Sequence, residues 1–257
     1  MRWRGPNGAG KPAIVMLHEG LGSVALWKDL PQKIAERTGH DVVVYSRFGH
    51  GRSEPLDAAR DVGYMHHEGE RVLPVLLAEL LLSRPILLGH SDGASIALIF
   101  AGNHPDAVTA LILEAPHVFV EDSAVESIAK TKAAFQTSDL GTKLARYHDD
   151  AAGTFRGWND IWLAPEFRAW NIESYLSAID VPILLMQGRD DEYGTVAQLE
   201  AIAARTDARI VLMDRCGHSP HRDQADATLD AIATFVASLD VNASLDVDAS
   251  LDVEDET

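Results

Sequence analysis

A serine between two glycines is the clearest candidate for chemistry in the sequence. Residues 89–93 read GHSDG, which fits the pattern G-x-S-x-G with Ser91 at its centre. The apolar run PILLG leads into this motif, and the helix-like stretch SIALIFAGN follows it closely. A serine on a sharp turn between a strand and a helix exposes its hydroxyl, and the two glycines let the strand and the helix pass closely. The pattern therefore predicts Ser91 as a nucleophile.

A serine hydroxyl is a weak nucleophile until a base removes its proton, and histidine suits this task. The sequence contains 11 histidines. His218 is the best placed of them, because it follows the strand-like run 211–213 and a loop that contains glycine. His221, a few residues further on, is the rival base. No Cys, Asp or Glu completes a metal site with these two histidines at ligand spacing. We therefore expect neither a metal nor a cofactor.

An acid must orient the histidine, and it is expected at the end of the preceding strand. The strand-like run 181–187 is followed by Gly188 and then by two adjacent carboxylates, Asp190 and Asp191. Neighbouring side chains leave a turn in different directions, so only one of the two can face the histidine. The residues alone leave this choice open.

Acyl transfer also requires two backbone N–H groups that stabilise an oxyanion. One is expected from Asp92, the residue after the nucleophile. The other is expected from a loop after an early strand, and residues 18–23 follow the apolar run 14–17. We predict Gly20 in this loop as the second donor.

The elements that must position these residues alternate along the chain. Short apolar runs, typical of buried parallel strands, are separated by longer amphipathic stretches that favour helices. The runs lie at residues 13–17, 41–45, 85–88, 107–113, 181–186 and 209–213. The helix-like stretches lie at residues 25–38, 65–82, 93–103, 194–205 and 223–238. The alternation predicts an α/β fold with a mostly parallel central sheet flanked by helices.

The interval 117–178 breaks this alternation, because it contains no strand-like run. It favours helices and is rich in tryptophan, so we predict a helical cap insertion over the carboxyl edge of the sheet. Residues 1–116 and 179–238 then form the core. Candidate substrate-binding residues are Trp158 and Asn159 in the cap, and His117 at the mouth of the site. Helix packing is the alternative explanation for the tryptophan.

The net charge of −17 argues against partners that need a basic surface, namely nucleic acid and anionic membranes. Residues 239–257 form an acidic segment with a repeated Ser-Leu-Asp-Val pattern, and we predict a disordered tail there. No stretch of 18 uncharged apolar residues occurs. The lone cysteine, Cys216, fits a reducing compartment. These features predict a soluble, cytoplasmic protein that acts on a small molecule.

Five motifs, in order, resemble the α/β-hydrolase superfamily over about residues 10–238. They are similar to its oxyanion loop (LHEGLGS), its D-x-R-G-x-G-x-S segment (YSRFGHGRSEP), its nucleophile elbow (GHSDGA), its acid loop (MQGRDDEYGT) and its histidine loop (CGHSPH). The order Ser, Asp, His along the chain is the order expected for this fold. The resemblance implies that Asp191, the third residue after Gly188, is the acid.

Three departures from the superfamily pattern matter. Glu19 stands where glycine is usual, so we predict that its carboxylate turns away from the site and pairs with Arg47 or Arg52. Little chain precedes the run 13–17, so the first edge strands are expected to be short or missing. Ser219 follows the histidine, where carbon-carbon bond hydrolases of the superfamily often have Trp or Phe.

The resemblance implies a serine hydrolase that cleaves a small carboxylic ester or lactone through an acyl-enzyme. Two alternatives stay open. One is a hydrolase that cleaves a carbon-carbon bond in a diketone, and the other is a non-catalytic small-molecule receptor on the same scaffold. The sequence does not predict an oligomeric state.

Overall fold

The computed structural model describes residues 1–251, with side chains described as far as residue 239. Its centre is a seven-stranded sheet in the order β1-β3-β2-β4-β5-β6-β7, in which only the β1–β3 pair is antiparallel. The strands are β1 Arg2–Trp3, β2 Ile14–Leu17, β3 Val42–Val44, β4 Ile86–His90, β5 Ala110–Glu114, β6 Ile183–Gly188 and β7 Ala208–Met213. The predicted α/β fold with a mostly parallel sheet is confirmed.

Eleven α-helices are described within these residues. They are α1 Leu30–Thr38, α2 Tyr64–His67, α3 Leu73–Glu79, α4 Asp92–Asn103, α5 Asp122–Thr137, α6 Leu140–Leu144, α7 Ala151–Trp162, α8 Glu173–Leu176, α9 Val196–Ala203, α10 Pro220–Asp223 and α11 Ala225–Leu251. A π-helical turn, Glu68–Val72, joins α2 to α3, and short 3-10 turns occur at Val24–Trp27, Pro105–Ala107 and Pro165–Ala169.

The central strands are apolar along their whole length because helices cover both faces of the sheet. In β2, Val15 faces the layer that contains α3, α4 and α9, whereas Ile14 and Met16 face the layer that contains α1 and α11. This alternation follows from the two-residue repeat of a strand. The carboxyl ends of the parallel strands therefore share one edge, where the loops with the candidate residues emerge.

Each of the six predicted strand-like runs corresponds to one strand, β2 to β7. The first edge strand is short, as expected, since β1 has two residues and pairs antiparallel with β3. Helices α5 to α8 occupy the interval between β5 and β6. The division of the chain into a core and a cap insertion stays a prediction.

The backbone of helix α11 continues to Leu251 and so overlaps the segment 239–257 that is predicted as a disordered tail. Residues 225–251 contain neither Gly nor Pro, and Ala and Leu favour a helix. The disordered tail stays a prediction. The remainder of the predicted tail, 252–257, lies outside the described residues. Over the described part of the chain, we find no helix with the length and apolarity needed to span a bilayer.

Candidate active site

The turn between β4 and α4 holds Ser91 in a backbone conformation that side chains rarely adopt. Its φ is 53° and its ψ is −119°, and such strain costs about 1–3 kcal/mol. A Cβ at Gly89 would overlap the start of α4, and a Cβ at Gly93 would overlap the carbonyl of Leu17. The two glycines are therefore required for strand and helix to pass this closely, as the motif predicts. The strained turn places Ser91 at the sheet edge.

His218 lies between Ser91 and Asp191. Its Nε2 is 2.9 Å from Ser91 Oγ, and its Nδ1 is 2.8 Å and 3.0 Å from the two carboxylate oxygens of Asp191. Because a carboxylate only accepts hydrogen bonds, Nδ1 carries the proton and Nε2 is free to accept the serine proton. The arrangement brings together the three residues predicted from remote segments of the chain.

Asp191, rather than Asp190, faces the histidine. Its Oδ1 also accepts hydrogen bonds from the backbone N–H groups of Tyr193 (2.8 Å) and Gly194 (3.2 Å). Burial raises the pKa of the Asp191 carboxyl, but His218 and these N–H groups outweigh burial and hold the pKa below its ordinary value. Asp190 is exposed to solvent. The carboxylate beside His218 is thus kept ionised.

The two predicted oxyanion donors lie on different loops at the same edge of the sheet. Asp92 begins α4, and the first N–H groups of a helix have no acceptor within the helix. Gly20 and Ser91 line the same cavity. Gly20 packs under the indole of Trp158, which a Cβ at this position would overlap. Gly20 and Asp92 therefore lie on loops at the edge of the sheet that carries Ser91, and their role as oxyanion donors stays a proposal.

The cavity beside Ser91 has a volume of about 270 Å³. Helices α5, α6 and α7 contribute much of its apolar wall, and the remaining apolar residues come from the loop after β2 and from residues near it. The apolar lining residues are Leu21, Leu26, Ala124, Ile128, Leu144, Trp158 and Trp162. The charged lining residues are Glu19, Glu192 and Arg222.

The three predicted substrate-binding residues lie in different places. Trp158 and His117 line the cavity. Asn159 does not line it, because its side chain is fully buried and donates from Nδ2 to the carbonyl of Ile128 (3.2 Å). It ties α7 to α5, and a role for Asn159 in substrate binding stays a prediction. Trp162 lines the cavity because it lies one helical turn after Trp158 on the same face of α7.

His117 packs against the base. Its ring centre lies 5.7 Å from that of His218 and 5.2 Å from that of Trp162. Burial lowers the pKa of the His117 imidazole to about 4, and the nearby His218 acts in the same direction. His117 is therefore neutral near pH 7, so it shapes the cavity without placing a second charge beside His218.

Glu19 is positioned differently from the prediction. Its Oε2 lies 3.5 Å from Nδ1 of His90. Arg47 Nη2 contacts Glu19 through the backbone carbonyl, at 2.9 Å, and not through the carboxylate. Arg47 is buried with its guanidinium 3.9 Å from the Asp92 carboxylate, and Arg52 is exposed. Burial raises the pKa of the Glu19 carboxyl, but His90 outweighs burial and lowers it. The predicted pairing of Glu19 with an arginine is therefore wrong, because its carboxylate lies beside His90. Glu19 also lines the cavity, so it does not turn away from the site.

The rival base, His221, is engaged elsewhere. Its Nδ1 lies 2.6 Å from Oε2 of Glu114, and its ring packs against Trp27 and His90. Burial lowers the pKa of His221, but Glu114 outweighs burial and raises it above its ordinary value of 6.5. Burial likewise raises the pKa of Glu114, and His221 outweighs burial and lowers it below 4.5. The two groups form a buried ion pair at the end of β5.

This ion pair makes the stability of the fold depend on pH. The contribution from the raised pKa of His221 is full below pH 6.5 and is lost as the pH rises through the folded-state pKa. The contribution from the lowered pKa of Glu114 is full above pH 4.5 and is lost as the pH falls. We expect His221→Gln to reduce the free energy of unfolding more at pH 6 than at pH 9, measured by urea denaturation.

His67→Gln is a matched control for this experiment, because His67 is exposed. Its free energy of unfolding should differ from that of the unmodified protein equally at both pH values. An equal loss of stability at pH 6 and pH 9 for His221→Gln would contradict the ion pair.

Comparisons with known proteins agree on the fold and differ in the reaction. A family model described as the alpha/beta hydrolase fold matches residues 12–146. A 2-hydroxy-6-oxononadienedioate/2-hydroxy-6-oxononatrienedioate hydrolase from Comamonas testosteroni is 24% identical over 88% of this chain and 90% of its own length. A proline iminopeptidase from Lactobacillus delbrueckii subsp. lactis is 23% identical over 80% of this chain and 84% of its own length.

Among solved structures, an esterase from Exiguobacterium antarcticum superposes with a TM-score of 0.72. It is 18% identical and the match covers 92% of this chain and 94% of the esterase, so it supports the fold alone. The family model covers more than half of the 257 residues and ends before the acid and histidine loops. The chain therefore belongs to the α/β-hydrolase fold family.

Proposed function

We propose that this chain is a serine hydrolase that cleaves a small, neutral carboxylic ester or lactone through an acyl-enzyme. The observation that carries the proposal is the hydrogen-bonded series Ser91 Oγ, His218 Nε2, His218 Nδ1 and Asp191, with the 2.9 Å and 2.8 Å distances described above. A base at this distance can accept the hydroxyl proton directly during attack.

In the proposed reaction, Ser91 Oγ attacks the carbonyl carbon and its proton passes to His218 Nε2. The carbonyl oxygen becomes an oxyanion, which the N–H groups of Gly20 and Asp92 stabilise. The intermediate collapses, the bond to the leaving oxygen breaks, and that oxygen takes the proton from His218. Water then gives its proton to His218 and attacks the acyl-enzyme, and the second intermediate releases the acid and restores Ser91.

Electrostatics favour the first half of this reaction. The oxyanion forms beside the N-terminus of α4, a 12-residue helix, where the helix dipole favours negative charge. The ionised Asp191 stabilises the imidazolium that His218 becomes when it holds the serine proton. The negative charge thus develops beside the helix N-terminus, and the positive charge develops beside Asp191.

The charges on the cavity wall favour a neutral substrate. Two carboxylates, Glu19 and Glu192, line the cavity with one cation, Arg222. Arg222 is two-thirds exposed and lies 3.3 Å from the carboxylate of Asp223, which weakens its attraction for a second anion. The Comamonas relative is named for dioate substrates, which carry two carboxylates. Such an anion would meet net negative charge here, so we place the ester or lactone ahead of the diketone acid.

The cavity volume leads to a prediction about chain length. Small-molecule pockets span about 300–1,000 Å³, so a cavity of about 270 Å³ is small. We expect kcat/KM for p-nitrophenyl acetate and butyrate to exceed that for the decanoate by at least about tenfold, or about 1.4 kcal/mol. Trp158→Phe should reduce this preference for short acyl chains, because the smaller side chain enlarges the cavity.

Trp170→Phe is the matched control, because Trp170 is buried and does not line the cavity. It should leave the ratio of kcat/KM between butyrate and decanoate unchanged. Equal rates on all chain lengths in the unmodified protein would show that this cavity does not hold the acyl group.

The reaction class is tested by a panel of esters, lactones and vinylogous diketones, together with labelling by a fluorophosphonate. Turnover of esters or lactones with labelling of Ser91 is the expected result. Faster turnover of the diketones would replace the proposal with carbon-carbon bond cleavage. A protein that binds these compounds without turnover and is not labelled would be a receptor.

A further inference from the structure

The carbonyl groups of the oxyanion loop, residues 18–22, are held by histidine and arginine side chains. The Glu19 carbonyl accepts hydrogen bonds from His18 Nδ1 (2.7 Å) and Arg47 Nη2 (2.9 Å). The Gly22 carbonyl accepts a hydrogen bond from His50 Nδ1 (3.2 Å).

The hydrogen bond to a third loop carbonyl comes from a distant part of the chain. The Leu21 carbonyl accepts a hydrogen bond from Nε2 of His148, at 2.9 Å and 127 residues away in sequence. His148 precedes α7, in the helical interval between β5 and β6. The loop is therefore anchored by that helical interval as well as by the sheet.

The hydrogen bonds of His148 fix which ring nitrogen carries the proton. The backbone N–H of Gly51 donates to Nδ1 at 2.9 Å, so Nδ1 has no proton. Nε2 must then carry the proton and donate it to the Leu21 carbonyl. His148 is 3% exposed, and burial lowers the pKa of its imidazole. The ring is therefore neutral and has a single orientation.

The same helical interval also contacts the oxyanion loop from a second side. Trp158 of α7 covers Gly20, leaving no space for a side chain there. The start of α7 is docked on the loop that follows β3. There Thr154 Oγ1 donates to the Gly49 carbonyl at 2.5 Å, and Asp149 N–H donates to the Gly51 carbonyl at 2.9 Å. Two residues, His148 before α7 and Trp158 within it, thus contact the oxyanion loop at Leu21 and Gly20 and confine the peptide groups there.

A loop with glycine at positions 20 and 22 needs such contacts. Glycine has wide backbone freedom, so an unanchored Gly20 peptide could rotate its N–H away from the oxyanion. Oxyanion stabilisation depends on donors that are already oriented before the reaction. The Gly20 N–H shares a planar peptide group with the Glu19 carbonyl, which His18 and Arg47 hold on one side of Gly20. The bond from His148 to the Leu21 carbonyl holds the chain on the other side, so rotation about the Gly20 backbone bonds is restricted from both ends.

We propose that His148 is a positioning residue for the oxyanion hole, acting through its hydrogen bond from Nε2 to the Leu21 carbonyl. The proposal rests on the proposed function, because it requires Gly20 N–H to stabilise an oxyanion. It assigns the helical interval a part in the chemical step in addition to lining the cavity.

Two amide substitutions separate the two hydrogen bonds of His148. In His148→Gln the amide nitrogen replaces Nε2 and can still donate to the Leu21 carbonyl. In His148→Asn the amide oxygen replaces Nδ1 and can still accept from Gly51 N–H, but the side chain does not reach Leu21. Both variants lose the imidazole, and each keeps the one hydrogen bond that the other loses.

We expect His148→Asn to lower kcat on p-nitrophenyl butyrate by about 10- to 100-fold, because misplacing a reacting group by about 1 Å costs up to about 100-fold. KM should change little, since the cavity wall is intact. His148→Gln should retain kcat within about threefold, well under the loss of about 100-fold or more for a deleted oxyanion donor. Affinity for an alkyl trifluoromethyl ketone, which forms a tetrahedral adduct with Ser91, should fall in proportion to kcat/KM.

Asp150→Ala separates positioning from the stability of α7. Asp150 caps α7 by accepting a hydrogen bond from the Gly153 N–H at 2.8 Å, and its loss leaves the bond from His148 to Leu21 in place. We expect a lower Tm with kcat close to that of the unmodified protein. If the Asn and Gln variants lose kcat equally, or if Asp150→Ala loses as much as His148→Asn, the positioning role is overturned.

The rate of Ser91 labelling by a fluorophosphonate distinguishes this failure from failure of the proposed function. Labelling also places negative charge on an oxygen in the oxyanion hole, and it needs no ester turnover. An unmodified protein that labels but hydrolyses no ester contradicts the proposed function, and the order of labelling rates in the variants still tests His148. Equal labelling rates in the unmodified protein and His148→Asn would overturn the positioning role alone.

Discussion

Ser91→Ala is expected to lower the rate of ester hydrolysis by on the order of 10⁶-fold, the scale of loss when the nucleophile of a serine triad is removed. The expectation follows from the geometry, because His218 Nε2 has no other hydroxyl at 2.9 Å from which to take a proton in the described site. The substitution removes only the hydroxyl and keeps the Cβ of Ser91, so the shape of the cavity changes little. KM should therefore stay close to that of the unmodified protein.

Ser95→Ala provides the matched control for this prediction. Ser95 lies one turn further along α4, is buried, and donates from Oγ to the His117 carbonyl at 2.6 Å. Its loss should leave the rate within about tenfold, or about 1.4 kcal/mol. A Ser91→Ala protein that hydrolyses p-nitrophenyl butyrate at the unmodified rate would remove the basis of the proposed function. Equal losses in both variants would indicate a disturbed helix instead.

The sequence predicts the loops that carry Ser91, His218 and the acid because each follows a strand, and the resemblance to the α/β-hydrolase superfamily selects Asp191 over Asp190. Parallel strands point their carboxyl ends to one edge of the sheet, so the loops after β4, β6 and β7 must meet there. The strained turn at Ser91 is likewise a local property, since Gly89 and Gly93 lie beside it in sequence. Local patterns of this kind predict the fold class and the succession of strands along the chain.

Side-chain partners from remote segments are not predictable in the same way. The Glu19 carboxylate lies near His90 and not beside an arginine side chain. The guanidinium of Arg47 faces the Asp92 carboxylate and the backbone carbonyl of Glu19 instead. No local pattern marks His148, whose partner Leu21 is 127 residues away. Such contacts depend on how helices pack on the sheet, which the period of apolar residues does not specify.

The choice between the two adjacent carboxylates is the second prediction with a large expected effect. Asp191→Asn should lower kcat by about 10⁴-fold, as the equivalent change does in a serine protease triad. The amide keeps the size of the side chain but removes the charge that stabilises the imidazolium of His218. Its NH₂ group can also turn toward His218 Nδ1, and this would favour the wrong tautomer, with the proton on Nε2 facing Ser91.

Asp190→Asn makes the same chemical change one residue earlier and serves as the control. Asp190 is exposed, and its backbone N–H donates to the Cys216 carbonyl at 2.9 Å, a bond that the substitution leaves in place. We expect kcat to stay within about threefold, well below the 1.4 kcal/mol that corresponds to tenfold. Both variants are measured at saturating p-nitrophenyl butyrate, with Tm recorded for each.

The pair of variants separates the role of the carboxylate from general electrostatics. Each loses one negative charge, and the two side chains leave neighbouring residues of the same loop, so a long-range effect of charge on the site would lower both rates alike. Asp191 alone accepts from His218 Nδ1, at 2.8 Å, and from two backbone N–H groups that hold it in place. A loss confined to Asp191→Asn, with Tm unchanged, therefore requires direct contact with the base. Comparable losses in both variants would reject that contact as the source of the effect.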